Sequence, residues 1–136
     1  MPKKTLRAKC LEAAQKLARL QEADDNGYVS CWSCGKIDHY KSMDGAHFIS
    51  KGNGGTNYWA LDMRNIHVQC KGCNGFGMKY GDAYPRYTMK MIDTYGREFV
   101  DELLTKNPVR KLSRIELQDM LDEFKREIKR HEDRIS

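Results

Sequence analysis

Apolar residues recur at helical spacing near the N-terminus and lose that spacing in the middle of the chain. Over residues 5–23, one face of a predicted helix carries apolar side chains at intervals of three and four: Leu6, Cys10, Ala13, Leu17 and Leu20. The turn-forming run Asp24-Asp25-Asn26-Gly27 ends this helix. From Tyr28 to about Asn74 the chain is glycine-rich and without helical period. We interpret this stretch as a compact β-hairpin with a long connection, Gly52-Asn53-Gly54-Gly55-Thr56-Asn57.

Helical spacing returns in the last third of the chain and predicts three helices. Pro85 opens the first, which ends at Gly96, and the second runs from about Arg97 to Lys106 before Pro108. The third begins at a capping box, Ser113-Arg114-Ile115-Glu116, in which the serine and glutamate side chains satisfy backbone N–H groups of the first turn. Its apolar stripe is Leu117, Leu121, Phe124 and Ile128.

The length of 136 residues suits one domain with one modest core. We therefore expect a single α+β domain (1–136): a basic N-terminal helix in 1–27, a metal-bound centre in 28–80, and C-terminal helices in 84–136. No apolar run approaches the roughly 20 residues that a membrane span needs, and the basic N-terminus lacks the apolar segment of a secretion signal. These features predict a protein of a reducing cytoplasm, with no membrane partner.

The net charge of +5 is concentrated at the N-terminus, where residues 1–20 hold six basic side chains against one glutamate. The basic residues of this stretch are Lys3, Lys4, Arg7, Lys9, Lys16 and Arg19. A positive surface of this kind favours a polyanionic partner such as nucleic acid. A solvated helix face would show the same pattern, and the charge alone leaves both interpretations open.

Two CxxC motifs, Cys31-Trp32-Ser33-Cys34 and Cys70-Lys71-Gly72-Cys73, predict a structural zinc site. Each motif is a tight turn that can direct two thiolates at one ion, and two such turns complete the four-sulfur tetrahedron of structural Zn²⁺. Paired cysteines in a reducing compartment bind metal more often than they form disulfides. A redox CxxC is expected once, in a βαβ setting. The fifth cysteine, Cys10, lies on an apolar stripe and is expected in the core.

Four polar residues near the cysteines have the chemistry of a phosphodiesterase. If the first predicted strand ends at Asp44-Gly45-Ala46-His47 and the second contains Asn65-Ile66-His67, then Asp44, His47, His67 and Asn74 can face one small volume. An imidazole can take a proton from water. A carboxylate and an amide oxygen suit Mg²⁺ or Mn²⁺, which stabilise charge on a phosphate.

The same residues resemble the NinG/Rap family of phage recombination nucleases. The resemblance covers most of the chain from about Tyr28 onward. It continues through the final helix and rests on four segments. These are Asp44-Gly45-Ala46-His47-Phe48-Ile49, Gly54-Gly55, Arg64-Asn65-Ile66-His67-Val68-Gln69-Cys70-Lys71-Gly72-Cys73-Asn74 and Tyr95-Gly96-Arg97-Glu98-Phe99-Val100-Asp101-Glu102-Leu103. The resemblance implies a ββα-metal (HNH-like) centre, metal-dependent cleavage of Holliday junctions and D-loops, and a site of action in the cytoplasm of a bacterial host.

Carried over by position, the resemblance gives roles to individual residues. His47 matches the general base, Asn65 matches the asparagine that orients the loop and the base, and Asn74 matches a metal-binding position. HNH sequences often place a metal ligand directly before the base, where this chain has Ala46. Asp44 and His67 are the two alternatives for the missing ligand.

Branched DNA is the partner that these features predict. Phosphate contacts are expected from Lys3, Lys4, Arg7, Arg64, Lys71, Lys79 and Arg86. A four-way junction has two strands to cut, so we expect a homodimer with two active sites, for which the amphipathic C-terminal helices are an available interface. A non-catalytic zinc-ribbon module that binds DNA or protein explains the cysteines and the charge equally well, but not His47, Asn65 and Asn74.

Overall fold

Four of the described helices lie where the apolar spacing predicts them, and the fifth, Met78–Tyr80, is too short to show such spacing. A computed structural model of the protein describes residues 3–52, 57–106 and 110–135. Its five helices are α1 (Leu6–Glu22), α2 (Met78–Tyr80), α3 (Ala83–Tyr95), α4 (Arg97–Thr105) and α5 (Arg114–Arg134). The predicted capping box at Ser113 and Glu116 is present. Pro108 and most of the predicted glycine-rich connection, residues 53–56, lie outside the described residues.

The strands form two small antiparallel hairpins in the described part of the chain. Strand β1 (Tyr28–Ser30) pairs with β2 (Ile37–His39), and β3 (Asp44–His47) pairs with β4 (Ile66–Gln69). The second hairpin is the predicted one, and Asp44 stands opposite Gln69 in it. The first hairpin was not predicted. It carries the Cys31–Cys34 motif in the turn between its strands.

The β3–β4 hairpin separates two apolar clusters, as the alternation of side chains along a strand requires. On one face, Ile66 and Val68 pack with residues of α1 and α5. On the other face, Ala46 packs with Tyr87 of α3 and with residues of α4. The mixed helix and small-sheet architecture agrees with the predicted α+β class.

Helix α1 approaches β3 closely because residue 45 is a glycine. A Cβ atom at Gly45 would lie 2.3 Å from the backbone oxygen of Gln15. The side-chain amide of Gln15 also donates to the Gly45 carbonyl at 3.2 Å. This contact places the side chains of α1 beside Asp44 at the start of β3.

The apolar stripe of α5 is buried inside the chain, against α1. The side chains of this stripe pack in the internal core, so the stripe gives no support to the expected homodimer. None of the helices in residues 3–52, 57–106 and 110–135 is long and apolar enough to cross a membrane.

Candidate metal centre and adjoining cleft

The four paired cysteines converge on one point. Their sulfur atoms all lie within 4.8 Å of one another, and Cys34 Sγ is 3.7 Å from Cys70 Sγ. Four thiolates at about 2.3 Å from a tetrahedral zinc ion stand about 3.8 Å apart. The cluster could therefore hold a structural zinc. Cys10 lies apart from it, buried on α1, where its thiol donates to the Leu117 carbonyl at 3.2 Å.

The electrostatics of the cysteine cluster suit a cation. Burial raises the pKa of Cys31, but backbone N–H groups, including those of Ser33 and Cys34, outweigh it and bring that pKa to about 7. Burial and the neighbouring sulfurs raise the pKa of Cys73 well above its ordinary value. Sulfurs this close cannot all ionise without a compensating charge, and a divalent ion supplies it.

The first cysteine motif is anchored to three other elements. The Trp32 indole stacks on the ring of His67, with centroids 3.6 Å apart, and its N–H donates to the carboxylate of Glu22 in α1. The Ser33 hydroxyl donates to the Ala83 carbonyl at 2.7 Å and accepts from the amide of Gln69 at 2.7 Å. The metal centre thus links α1, β4 and α3.

His67 lies in the interior, with both ring nitrogens occupied. Its Nδ1 is 3.2 Å from Glu22 Oε2, and its Nε2 is 3.0 Å from the Arg64 carbonyl oxygen and 2.9 Å from the Tyr95 hydroxyl. The ring is buried against Trp32. The structure does not bring it to Asn74, and of the two alternative metal ligands only Asp44 is placed there.

Asp44 and Asn74 are in direct contact. The Asn74 amide donates to Asp44 Oδ2 at 3.0 Å, and the Lys71 ammonium donates to Oδ1 at 2.7 Å. Burial raises the pKa of Asp44, but the hydrogen bonds from Lys71 and Asn74 outweigh burial and bring the pKa below its ordinary value. The carboxyl group is therefore ionised at neutral pH. Asn74 lies in a π-helical turn, Cys73–Gly77, that precedes α2. Such turns are frequent at functional sites.

An open, positively charged cleft of about 390 Å³ surrounds Asp44 and Asn74. Three cations line it: Arg19, Lys41 and Lys71. The guanidinium of Arg19 is held by the carbonyls of Tyr40 and Met43, at 3.3 and 3.4 Å. Arg19 and Lys41 were not assigned to the site from the sequence, because their approach depends on the packing of α1 on β3.

His47 is held in the form that a general base needs. Its Nε2 is 2.7 Å from the carbonyl oxygen of Ala60. A carbonyl can only accept, so Nε2 carries the proton and Nδ1 keeps its lone pair. Burial lowers the pKa of His47, which keeps the ring neutral at physiological pH.

His47 does not share one volume with Asp44, contrary to the expectation from the sequence. The two residues are three positions apart in β3, so their side chains leave opposite faces of the hairpin and their Cα atoms are about 10 Å apart. Of the four predicted residues, the structure brings only Asp44 and Asn74 together.

Asn65 braces the segment that holds His47. It is fully buried, and its Oδ1 accepts from the Ile49 N–H at 2.8 Å. Its amide donates to the carbonyls of Ile49 and Trp59, at 3.0 and 3.1 Å. Trp59 precedes Ala60, whose carbonyl orients His47. This geometry fits the orienting role that the resemblance implies for Asn65.

Replacing Asn65 with alanine is expected to lower the free energy of unfolding by about 3 kcal/mol, because three hydrogen bonds are lost and buried backbone groups are left unpaired. Urea unfolding of zinc-loaded protein measures this. The control is Gln118→Ala, which removes an exposed side-chain bond to Asp122 and should cost no more than about 0.5 kcal/mol. A loss below about 1 kcal/mol for Asn65→Ala would contradict the bracing role.

The other predicted phosphate contacts differ in availability. Arg64 pairs with Asp62 at 2.7 Å and lies 4.2 Å from the Phe99 ring centroid, so it is engaged within the molecule. Arg86 pairs with Asp82 at 2.7 Å on the surface. Of the four others, Lys4 pairs with Glu12 and Arg7 donates to the Arg110 carbonyl, while Lys3 and Lys79 are exposed.

The family model described as bacteriophage lambda NinG protein matches residues 2–134. This match spans both cysteine motifs, the cleft and all five helices described above. No curated protein and no solved structure matches the chain.

Proposed function

The chain belongs to the bacteriophage lambda NinG family, and from that premise we propose that it is a metal-dependent endonuclease that cleaves branched DNA such as Holliday junctions and D-loops. The observation that carries the proposal is His47, a partly buried imidazole whose proton is fixed on Nε2 by the Ala60 carbonyl. This bond leaves the lone pair on Nδ1, where a general base accepts a proton.

In this proposal the centre is a ββα-metal (HNH-like) site in which His47 Nδ1 accepts the proton of the attacking water. Asp44 and Asn74 hold a catalytic Mg²⁺ or Mn²⁺, ions that favour carboxylate and amide oxygens. When bound, the ion stabilises negative charge on the scissile phosphate and on the leaving oxygen. Lys71 then exchanges its bond to Asp44 for a DNA phosphate, and Asn74 turns its amide oxygen toward the site.

The separation of Asp44 from His47 sets the path of the DNA. In an in-line displacement, the base acts on the water at one side of the phosphorus atom, and the charge on the leaving oxygen develops at the other side. One scissile phosphate must therefore reach both residues, although their side chains leave opposite faces of β3. Arg19 and Lys41 line the cleft at the Asp44 end of this path and contact neighbouring phosphates without reading base sequence.

The zinc in this proposal is structural and takes no part in the reaction. It fixes the two cysteine motifs, and thereby the π-helical turn that carries Asn74. A homodimer would supply one active site for each of the two strands cut in a four-way junction. The site of action is the cytoplasm of the bacterial host of the phage.

The test is cleavage of a labelled four-way junction beside a linear duplex of equal length, with Mg²⁺, with Mn²⁺ and with neither. We expect metal-dependent nicks near the branch point and little cutting of the duplex. Zinc content is measured on the same sample, so that absence of cleavage is not caused by an unfolded centre. A zinc-loaded protein that binds the junction and never cuts it would contradict the nuclease.

The second candidate function is a non-catalytic zinc module that binds DNA. The separation of His47 from Asp44 favours it, and so does Lys71, which already neutralises the Asp44 carboxylate. A binding module needs zinc alone, so added Mg²⁺ would change neither its stability nor its affinity for DNA.

A further inference from the structure

Two aromatic rings project into solvent from the segment that carries Asn74. Phe76 is 73% exposed and Tyr80 is 74% exposed, and their ring centroids lie 5.0 Å apart. The residues are four positions apart in a helical segment, so they share one side of it. We call Phe76 and Tyr80 the aromatic pair. Among the residues that the structure describes, neither ring belongs to either apolar cluster.

The surroundings of the aromatic pair leave it uncovered. The segment is rich in glycine, and at Gly72 and Gly75 even an added Cβ atom would meet nothing within 4 Å. The adjoining helix α2 has only three residues. Within the described residues the two rings pack on each other and on neither apolar cluster, so their faces are available to a partner.

The charge around the aromatic pair indicates what that partner is. Residues 71–86 hold the cations Lys71, Lys79 and Arg86 against one carboxylate, Asp82. Lys79 is exposed and adjoins Tyr80 in the chain. Aromatic faces beside lysines are the combination that binds unstacked bases together with their phosphates. Within the described residues, Lys71 and Arg86 already pair with Asp44 and Asp82, so Lys79 is the cation of this segment that an apolar protein surface would leave without a counter-charge.

We propose that the aromatic pair stacks on bases exposed at the branch point of DNA, while Lys79 binds the adjoining phosphate; the choice of branched DNA rests on the proposed function. A linear duplex keeps its bases stacked on one another and offers the rings no face. Phe76 is two residues from Asn74 in the same π-helical turn. Stacking at the branch therefore makes the pair a determinant of branch specificity, on the same segment that carries Asn74.

The experiment measures binding, without added Mg²⁺ or Mn²⁺, to a fluorescent four-way junction and to a linear duplex of equal length. Phe76→Ala/Tyr80→Ala is expected to weaken junction binding by about 10-fold for each ring lost and to change duplex binding less than about twofold. The wild-type protein should also change the emission of a 2-aminopurine placed at the branch point, and the double variant should not. The matched control is Ile115→Ala, since Ile115 is 75% exposed on α5 and its loss should change neither affinity.

A second variant, Phe76→Leu/Tyr80→Leu, keeps apolar side chains but removes the ring faces. We expect it to bind like the alanine variant, and recovery of wild-type affinity would overturn base stacking. Equal loss on junction and duplex would also overturn the proposal. Unchanged DNA binding with loss of self-association in sedimentation would show instead that the pair contacts a second copy of the chain. All of these experiments measure binding or self-association and none measures cleavage. They therefore test the aromatic pair even if the protein proves not to be a nuclease.

Discussion

Replacing Cys70 with serine is expected to abolish the cooperative unfolding transition of the protein. Zinc binding to four-cysteine and related sites contributes about 10–16 kcal/mol at neutral pH, which equals or exceeds the whole stability of an ordinary domain, about 5–15 kcal/mol. The strands that meet at the metal centre have only three or four residues each. Loss of one ligand therefore removes more free energy than the hairpins can supply.

Thermal unfolding followed by circular dichroism, with zinc content measured by mass spectrometry, checks this result. A strong chelator added to the wild-type protein should produce the same change. The control is Cys10→Ser, because Cys10 is buried on α1 and lies outside the four-sulfur cluster. It should keep one zinc per chain and lose about 1–2 kcal/mol of stability. A Cys70→Ser protein that retains one zinc and a sharp transition would contradict a structural metal centre.

The sequence is informative wherever a local rule decides the structure. The four longer helices follow from apolar spacing, and the start of α5 follows from the reciprocal bonds of Ser113 and Glu116. The four cysteines meet because two CxxC turns can satisfy one ion. The contact between Asp44 and Asn74 follows from a hairpin whose second strand leads directly into the second cysteine motif.

The rest depends on contacts between distant parts of the chain. Strands β1 and β2 have three residues each, too few to show alternation. His67 has the side chain of a metal ligand, but Glu22 and Trp32 hold it in the core, from elements that no local pattern connects to it. Arg19 reaches the cleft only because Gly45 lets α1 approach β3.

The position of His47 shows where the prediction from the hairpin was wrong. A hairpin brings its two strands side by side, and from this we expected Asp44 and His47 to share one volume. Alternation along a strand separates residues 44 and 47 to opposite faces. Asp44 and His47 can act on one substrate only if the same DNA phosphate reaches both side chains. The nuclease proposal therefore depends on a test of the role of His47.

Replacing His47 with alanine is expected to reduce the rate of junction cleavage by about 10²–10⁴-fold, the contribution of a general base. Junction binding and zinc content should stay unchanged, since the side chain contacts neither the zinc ligands nor the charged cleft. Single-turnover cleavage in Mg²⁺ measures the rate, and thermal unfolding confirms that the variant is folded. The matched control is His39→Gln on β2, which lies outside the proposed site and should keep its activity.

The pH dependence of cleavage gives a second test of the same residue. Only the neutral imidazole accepts a proton, so the rate should fall as the pH drops through the pKa of His47. Burial lowers that pKa, so the fall should occur below the ordinary histidine value of about 6.5. The His47→Ala variant should lose this acidic limb together with the rate. Undiminished cleavage by the variant, with the limb retained, would assign the base to another residue and leave His47 only its bond to Ala60.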